Sequence, residues 1–259
     1  MERTAFFIRC GVGAAFGLAV SLVVVLACYF GVFGALDSAT LDALFRVRGP
    51  RPASSDVVLV TIDSLGGGEQ PDATAGQRWL AVLDRIAAHG PDAVVCFGDP
   101  FHAEADSAEE AAALASEYAS LRAMLDRVVV AAPASDGLPA SMTTRTPWRH
   151  AHSHLNADED AVVRTVTAVQ TFGANELPAA GIEAAAAAYG VSRVEPAVRG
   201  GRTVSYGHLR IPVDDDGRML INYAGPPNTF ETISGDQVVH NAEVARRCRG
   251  RVVLVAPGK

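Results

Sequence analysis

The residues best equipped for chemistry in this chain are three histidines spaced two apart, His150, His152 and His154. On an extended strand that spacing puts all three imidazoles on one face, which is how a three-nitrogen zinc site is assembled. The same face turned to solvent needs no metal, and no carboxylate or cysteine stands where it would complete the shell. Two aspartates form a second candidate. Asp63 and Asp99 each follow an apolar run that reads as a parallel strand, at the carboxyl edge where open α/β sheets take their ligands. Two carboxylates there could hold a cation or a cationic ligand, or simply cap the turns that follow.

Other motifs point away from catalysis. Asp214-Asp215-Asp216-Gly217 is oxygen-rich like a calcium loop but lacks the loop length and closing glutamate, and it suits a tight hairpin turn instead. The stretch "SLGGGEQ" (Ser64 to Gln70) contains neither G-x-G-x-x-G nor G-K-[ST], and no G-x-S-x-G elbow occurs. No cofactor is expected. A formal net charge of -7 argues against a nucleic-acid partner, and the arginines at 246, 247, 249 and 251 flank an apolar strand. Cys10 and Cys28 lie in an apolar run, while Cys96 and Cys248 lie in or beside strands. A bridge between the last two has no spacing pattern behind it, and two unpaired thiols are expected because a core this size needs no staple.

These groups must be positioned by a chain with two unlike parts. Cys10 to Leu36 is an uncharged run long enough, at 1.5 Å per residue, to cross a hydrocarbon core of roughly 30 Å. It exceeds a signal-peptide core and lacks a clear cleavage site, so residues 1–36 are expected to be an uncleaved transmembrane anchor. Residues 37–55 read as a juxtamembrane helix and linker, stopped at Gly49-Pro50 and Pro52. Arg3 and Arg9 at one end balance Arg46, Arg48 and Arg51 at the other, so charge does not orient the anchor. Gly13 and Gly17 form its one small-xxx-small pair, and a homodimer is one state that pair allows.

From residue 56 onward strands alternate with helices, the grammar of crossover units around a largely parallel sheet. Val57 to Asp63 is a strand expected to be covered on both faces. A helix opening at Thr74, boxed by Gln77, carries Trp79, Leu80, Leu83, Ile86 and Ala87 on one face and stops at Gly90-Pro91. A second strand crosses "DAVVCFGDPF". A helix capped by Ser107 and Glu110 follows, with Leu114, Tyr118, Leu121, Leu125 and Val128 as its stripe, and then the strand "VVVAAP". After a loop over 136–147, "HAHSHLNADEDAVVRTVTAV" gives two extended pieces around an acidic turn. Pro178 opens an alanine-rich helix that Gly190 ends. "HLRIPVDDDGRMLINYAGP" reads as a hairpin turning at Asp216-Gly217, a helix capped by Ser234 and Gln237 follows, and "RVVLVAP" is a last strand. The fold class is α/β: a transmembrane helix, then one three-layer domain over 56–259 with a mostly parallel sheet and an antiparallel hairpin.

Four stretches carry a family likeness: "LDALFRVRGPRP" (Leu41 to Pro52), "DVVLVTID" (Asp56 to Asp63), "SHLNADEDAVVR" (Ser153 to Arg164), and "MLINYAGPPNTFETIS" (Met219 to Ser234) followed by "CRGRVVLVAP". Together they resemble the second type of CHASE domain, the cyclases/histidine kinases associated sensory extracellular module of bacterial membrane-linked sensors. His154, Asn156, Asp160 and Arg164 fall at matching positions. The chain departs between Asp63 and Trp79, where glycines and "EQPDATAGQ" replace a tryptophan- and proline-bearing segment, and at the second strand, where the family's acidic position falls on Gly98. The family normally continues past the last strand into further membrane helices and a cyclase, kinase or diguanylate cyclase module, so a truncated gene, a split receptor or a relic is expected.

The resemblance implies a non-catalytic extracytoplasmic sensor domain, held single-pass in the cytoplasmic membrane, with a separate cytoplasmic output protein as partner. His154, Asn156 and Arg164 then join Asp63 and Asp99 as expected ligand contacts. Two alternatives are an anchored metal-dependent hydrolase using the His150, His152 and His154 face, and a non-signalling envelope scaffold.

Overall fold

The computed structural model describes residues 2–29, 32–62, 73–98, 119–132, 146–158, 160–173, 175–192, 197–199 and 202–258, with the side chains of the first helix described from Gly13 on. The chain divides into two compact units, Met1–Arg51 and Pro52–Lys259, a division that falls within the expected linker.

The first unit holds α1 (Glu2–Tyr29) and α2 (Val32–Arg48). Residues 13–29 of α1 are uncharged, and Phe16, Leu18, Leu22 and Val23 are each more than half exposed. Among the described residues no helix is long and apolar enough to cross a membrane. The structure therefore does not show the crossing expected of Cys10–Leu36. The stop of α2 is as expected: Gly49, at φ 71°, donates its N–H to the Phe45 carbonyl at 3.0 Å ahead of Pro50 and Pro52.

The second unit carries, in chain order, β1 (Val57–Ile62), α3 (Ala73–Ala87), β2 (Ala93–Phe97), α4 (Ala119–Arg122), β3 (Val128–Ala132) and β4 (Arg149–His152). Short strands follow: β5 (Thr165–Thr167), β6 (Val169–Phe172) and β7 (Asn175–Pro178), then α5 (Ala180–Ala188), β8 (Ala197–Arg199), β9 (Thr203–Tyr206), β10 (Leu209–Pro212) and β11 (Arg218–Leu220). β12 (Thr232–Ser234), α6 (Gly235–His240), α7 (Ala242–Arg246) and β13 (Val252–Pro257) complete it. Six strands form one parallel sheet in the order β12-β1-β13-β2-β3-β4. Among the described residues three small antiparallel sheets accompany it, β10-β9-β8, β11-β5 and β6-β7.

Two helix layers cover the sheet. On one face Val58, Val60, Ile62, Cys96, Val130, Val253 and Val255 meet Leu80, Leu83 and Ile86 of α3, together with Val238 and Ala245. On the other, Val95, Val129, Ala131 and Ala151 meet Ala180, Ala184 and Ala187 of α5, whose small side chains let the helix lie close. Strands β2 and β3 are buried on both sides, as continuous apolar runs require. β1 and β13 instead alternate between buried and half-buried residues, because the α5 layer packs on β2, β3 and β4. Cys96 and Cys248 are both buried and not bridged, and burial pushes the Cys248 thiol up to about 11.

Several expectations need correction. The helix ending in Leu125 and Val128 stops at Arg122, a 3-10 turn spans Leu125–Arg127, and Val128 begins β3. A distant residue serves two of its backbone donors: the Asp84 carboxylate on α3 accepts the N–H groups of Ser120 and Leu121 at 2.9 and 3.0 Å. The proposed Ser107 and Glu110 cap lies outside the described residues. α3 runs from Ala73, one residue ahead of Thr74. The expected hairpin makes its turn, with Gly217 at φ 74° and its N–H on the Asp214 carbonyl, but its arms part company. β10 pairs with β9, and β11 pairs with β5. The last helix is two helices: Ser234 occupies the cap position of α6 without a side-chain bond, whereas Asn241 caps α7 through the Glu243 and Val244 N–H groups.

Candidate functional site at the carboxyl edge of the sheet

β1 ends at Ile62 beneath two helices of the same layer. α3 lies over it because its apolar stripe is buried, and α6 approaches because Gly235 has no side chain. A Cβ on Gly235 would stand 3.3 Å from both Ile62 Cγ1 and Val82 Cγ2. Between the helices lies a cavity of about 400 Å³, lined by Ile62, Ala81, Val82 and Val239 with the polar groups of Arg78, Asp236 and His240. The apolar residues make the floor, while Arg78, Asp236 and His240 are exposed at the rim. The Ile62 carbonyl accepts the Gly258 N–H at 2.6 Å, so the chain leaving β13 is tied to the floor of the cavity.

The sequence candidates that are described, His150, His152, His154, Asn156 and Arg164, lie on β4 or in the segment after it, at the other end of the strand order. The end of β1 and the end of β4 are four strand spacings apart, about 19 Å, so one small ligand does not touch both. Asp63 and Asp99 lie outside the described residues. The histidine face does not gather: His150 Nε2 meets Thr146 Oγ1 at 2.7 Å, His152 is buried with its ring near Phe172, and His154 lies beyond the strand. Among the described residues no group of three His, Cys, Asp or Glu side chains could hold a metal ion. His152 is 1% exposed, and burial brings its pKa down to about 4, with His154 adding to the effect. The Thr167 backbone pulls the other way, although neither ring nitrogen meets a partner at hydrogen-bonding geometry.

Arg164 is buried and holds the acidic turn closed. Its guanidinium takes Asp160 in two bonds, 2.9 and 2.7 Å, and Asp158 at 2.8 Å. The first of these contacts holds the Asp160 carboxyl down at about 2, well below the usual carboxylate range. Ala161 sits at φ 61° within this turn, and Asp158 and Val162 close it through the backbone. Asn156 reaches Thr167 Oγ1 at 3.1 Å, Arg164 accepts the Ile221 N–H, and Tyr223 donates its hydroxyl to the Val163 carbonyl. Thus Arg164 and Asn156 knit the acidic segment to β5 and to the stretch after β11. The family model for the CHASE2 domain matches residues 19–259. The chain belongs to the CHASE2 family. CHASE2 domains are extracellular sensory domains of signalling proteins. No curated protein and no solved structure matches this CHASE2 chain.

The sequence singles out the carboxyl edge of the sheet through Asp63 and Asp99, but it does not single out Arg78, Asp236 and His240, which line the cleft. Arg78 falls on the polar side of an amphipathic helix, and the strand that precedes Asp236 is only three residues long. Neither offers a spacing that separates a binding residue from a solvated one.

Proposed function

We propose that this CHASE2 chain is a membrane-tethered, extracytoplasmic sensory module without catalysis of its own, anchored by Cys10–Leu36. The family match over residues 19–259 carries the reading, because it takes in part of the apolar run together with the whole sheet domain. The exposed apolar side chains of α1 support the anchor, since such a surface is costly in water and favourable in lipid. The non-catalytic reading draws support from the way charged groups are spent on structure, Arg164 on Asp158 and Asp160, and Arg149 on Glu183. In this reading the stimulus is received at the carboxyl edge of β1, where Asp63 follows Ile62, and biases one of two packings. Asn156 and Arg164 contribute by holding the far edge in shape.

The test is a topology reporter fused after Pro52 in the full chain, with carbonate extraction of the membranes. The expected result is an integral membrane protein whose reporter is active only outside the cytoplasm. A reporter active in the cytosol, or a chain released by carbonate, would overturn the reading.

A further inference from the structure

We infer that the cleft between α3 and α6 binds a small zwitterion, an α-amino acid with a short apolar side chain, its carboxylate on Arg78 and its ammonium on Asp236. The assignment deepens the sensory reading and rests on it. Three polar side chains line one cavity, and none of them makes a hydrogen bond or ion pair with a described residue. Six other arginines of the unit are engaged with carboxylates, Arg149 with Glu183, Arg164 with Asp158 and Asp160, Arg202 with Asp215, Arg246 with Glu243, and Arg247 and Arg251 with Glu231, whereas Arg78 faces the cleft beside a carboxylate it does not touch.

An arginine and an aspartate on the rim of one cleft, not closed on each other, match a ligand carrying both charges. A simple anion on Arg78 would face the Asp236 carboxylate, and a simple cation on Asp236 would face the guanidinium. Ile62, Ala81, Val82 and Val239 give the ligand's side chain an apolar floor, and His240 adds one more polar contact. The volume of about 400 Å³ is at the lower end of small-molecule sites, about 300 to 1,000 Å³. Because Arg78 is on α3 and Asp236 on α6, such a ligand bridges the two helices above Ile62, the residue that holds Gly258.

The experiment is a thermal-shift titration of the full chain in lipid nanodiscs with each standard α-amino acid, and with isobutyrate and isobutylamine as single-charge analogues. At a hundredfold excess over Kd the best amino acid raises Tm by about 5–10 °C. The analogues bind about tenfold more weakly or worse. Arg78→Gln and Asp236→Asn keep the unliganded Tm, since both residues are exposed, and each weakens binding by about tenfold or more. No shift with any α-amino acid at millimolar concentration, or a shift undiminished in both variants, overturns the assignment while the sensory reading stands. Binding that behaves as expected in a chain whose Pro52 reporter lies in the cytosol overturns the sensory reading alone.

Discussion

Acidification from pH 7 to pH 5 should destabilise the sheet domain through His152. The ring is buried at the carboxyl end of β4 and titrates near 4, against about 6.5 in an unfolded chain. A depressed histidine means that the unfolded state binds more protons between those two values. Stability is therefore full above about pH 6.5 and falls as the pH drops toward 4. The slope approaches 1.36 kcal/mol per pH unit, and integration from pH 7 to 5 gives a loss of about 2 kcal/mol, or about 3 kcal/mol by pH 4. The assay is urea unfolding of the full chain in nanodiscs at pH 7, 6 and 5, followed by the fluorescence of the buried Trp148. His152→Leu serves as the comparison, because it has no proton to bind. His89, whose pKa is lowered by burial and then by Arg85, Arg246 and Arg249, titrates in both proteins and cancels in the difference. The Asp160 carboxyl loses its contribution only as the pH falls below the ordinary carboxylate range toward 2, outside the window. Wild type should lose about 2 kcal/mol more than His152→Leu between pH 7 and 5. Parallel pH profiles would show that the His152 ring takes up its proton in the folded state and would refute the reasoning.

Three further outcomes follow from the packing. Glu183→Ala strands Arg149, whose guanidinium otherwise bonds Glu183 at 2.8 Å and the Asp126 and Val191 carbonyls at 2.6 Å. The expected cost is about 3–5 kcal/mol, a fall in Tm of roughly 10 °C by calorimetry, and a change under 1 kcal/mol would mean the pair is wet. Gly207→Ala forces a side chain into φ 58° and brings its Cβ within 2.5 Å of Val191 Cγ1. A loss of about 1–3 kcal/mol in urea unfolding is expected, and wild-type stability would contradict the close approach. Asp84→Ala removes the acceptor for two α4 donors at a cost of about 1 kcal/mol. Hydrogen exchange at Ser120 and Leu121 should quicken, and unchanged protection there would dismiss the bridge.

Much of the sheet could be read from the chain because its strands are unbroken apolar runs between charged or glycine-bearing turns. β1, β2, β3 and β13 stand where Val57, Ala93, Val128 and Val252 open such runs. β12 escaped notice since three residues, Thr232 to Ser234, give no period to count, and their strand character comes from pairing with Leu59, Val60 and Thr61. The hairpin error has a similar cause. Asp214 to Arg218 states the turn locally, but the partners of β10 and β11 are chosen by distant residues, Thr203 to Tyr206 and Thr165 to Thr167. The rim of the cleft was hidden for another reason: Arg78, Asp236 and His240 look like surface residues one at a time, and only the approach of α6 at Gly235 brings them to one place.

The position of β13 sets a timetable for biogenesis. This strand is the last of the six to be synthesised, yet it lies inside the sheet, hydrogen-bonded to β1 on one side and β2 on the other. Until residues 252–257 emerge from the ribosome, Val57–Ile62 and Ala93–Phe97 have adhesive strand edges and no proper neighbour between them. Those edges call for guarding during translation, and a nascent chain stalled before Val252 is a substrate for chaperones or proteases rather than a smaller folded domain.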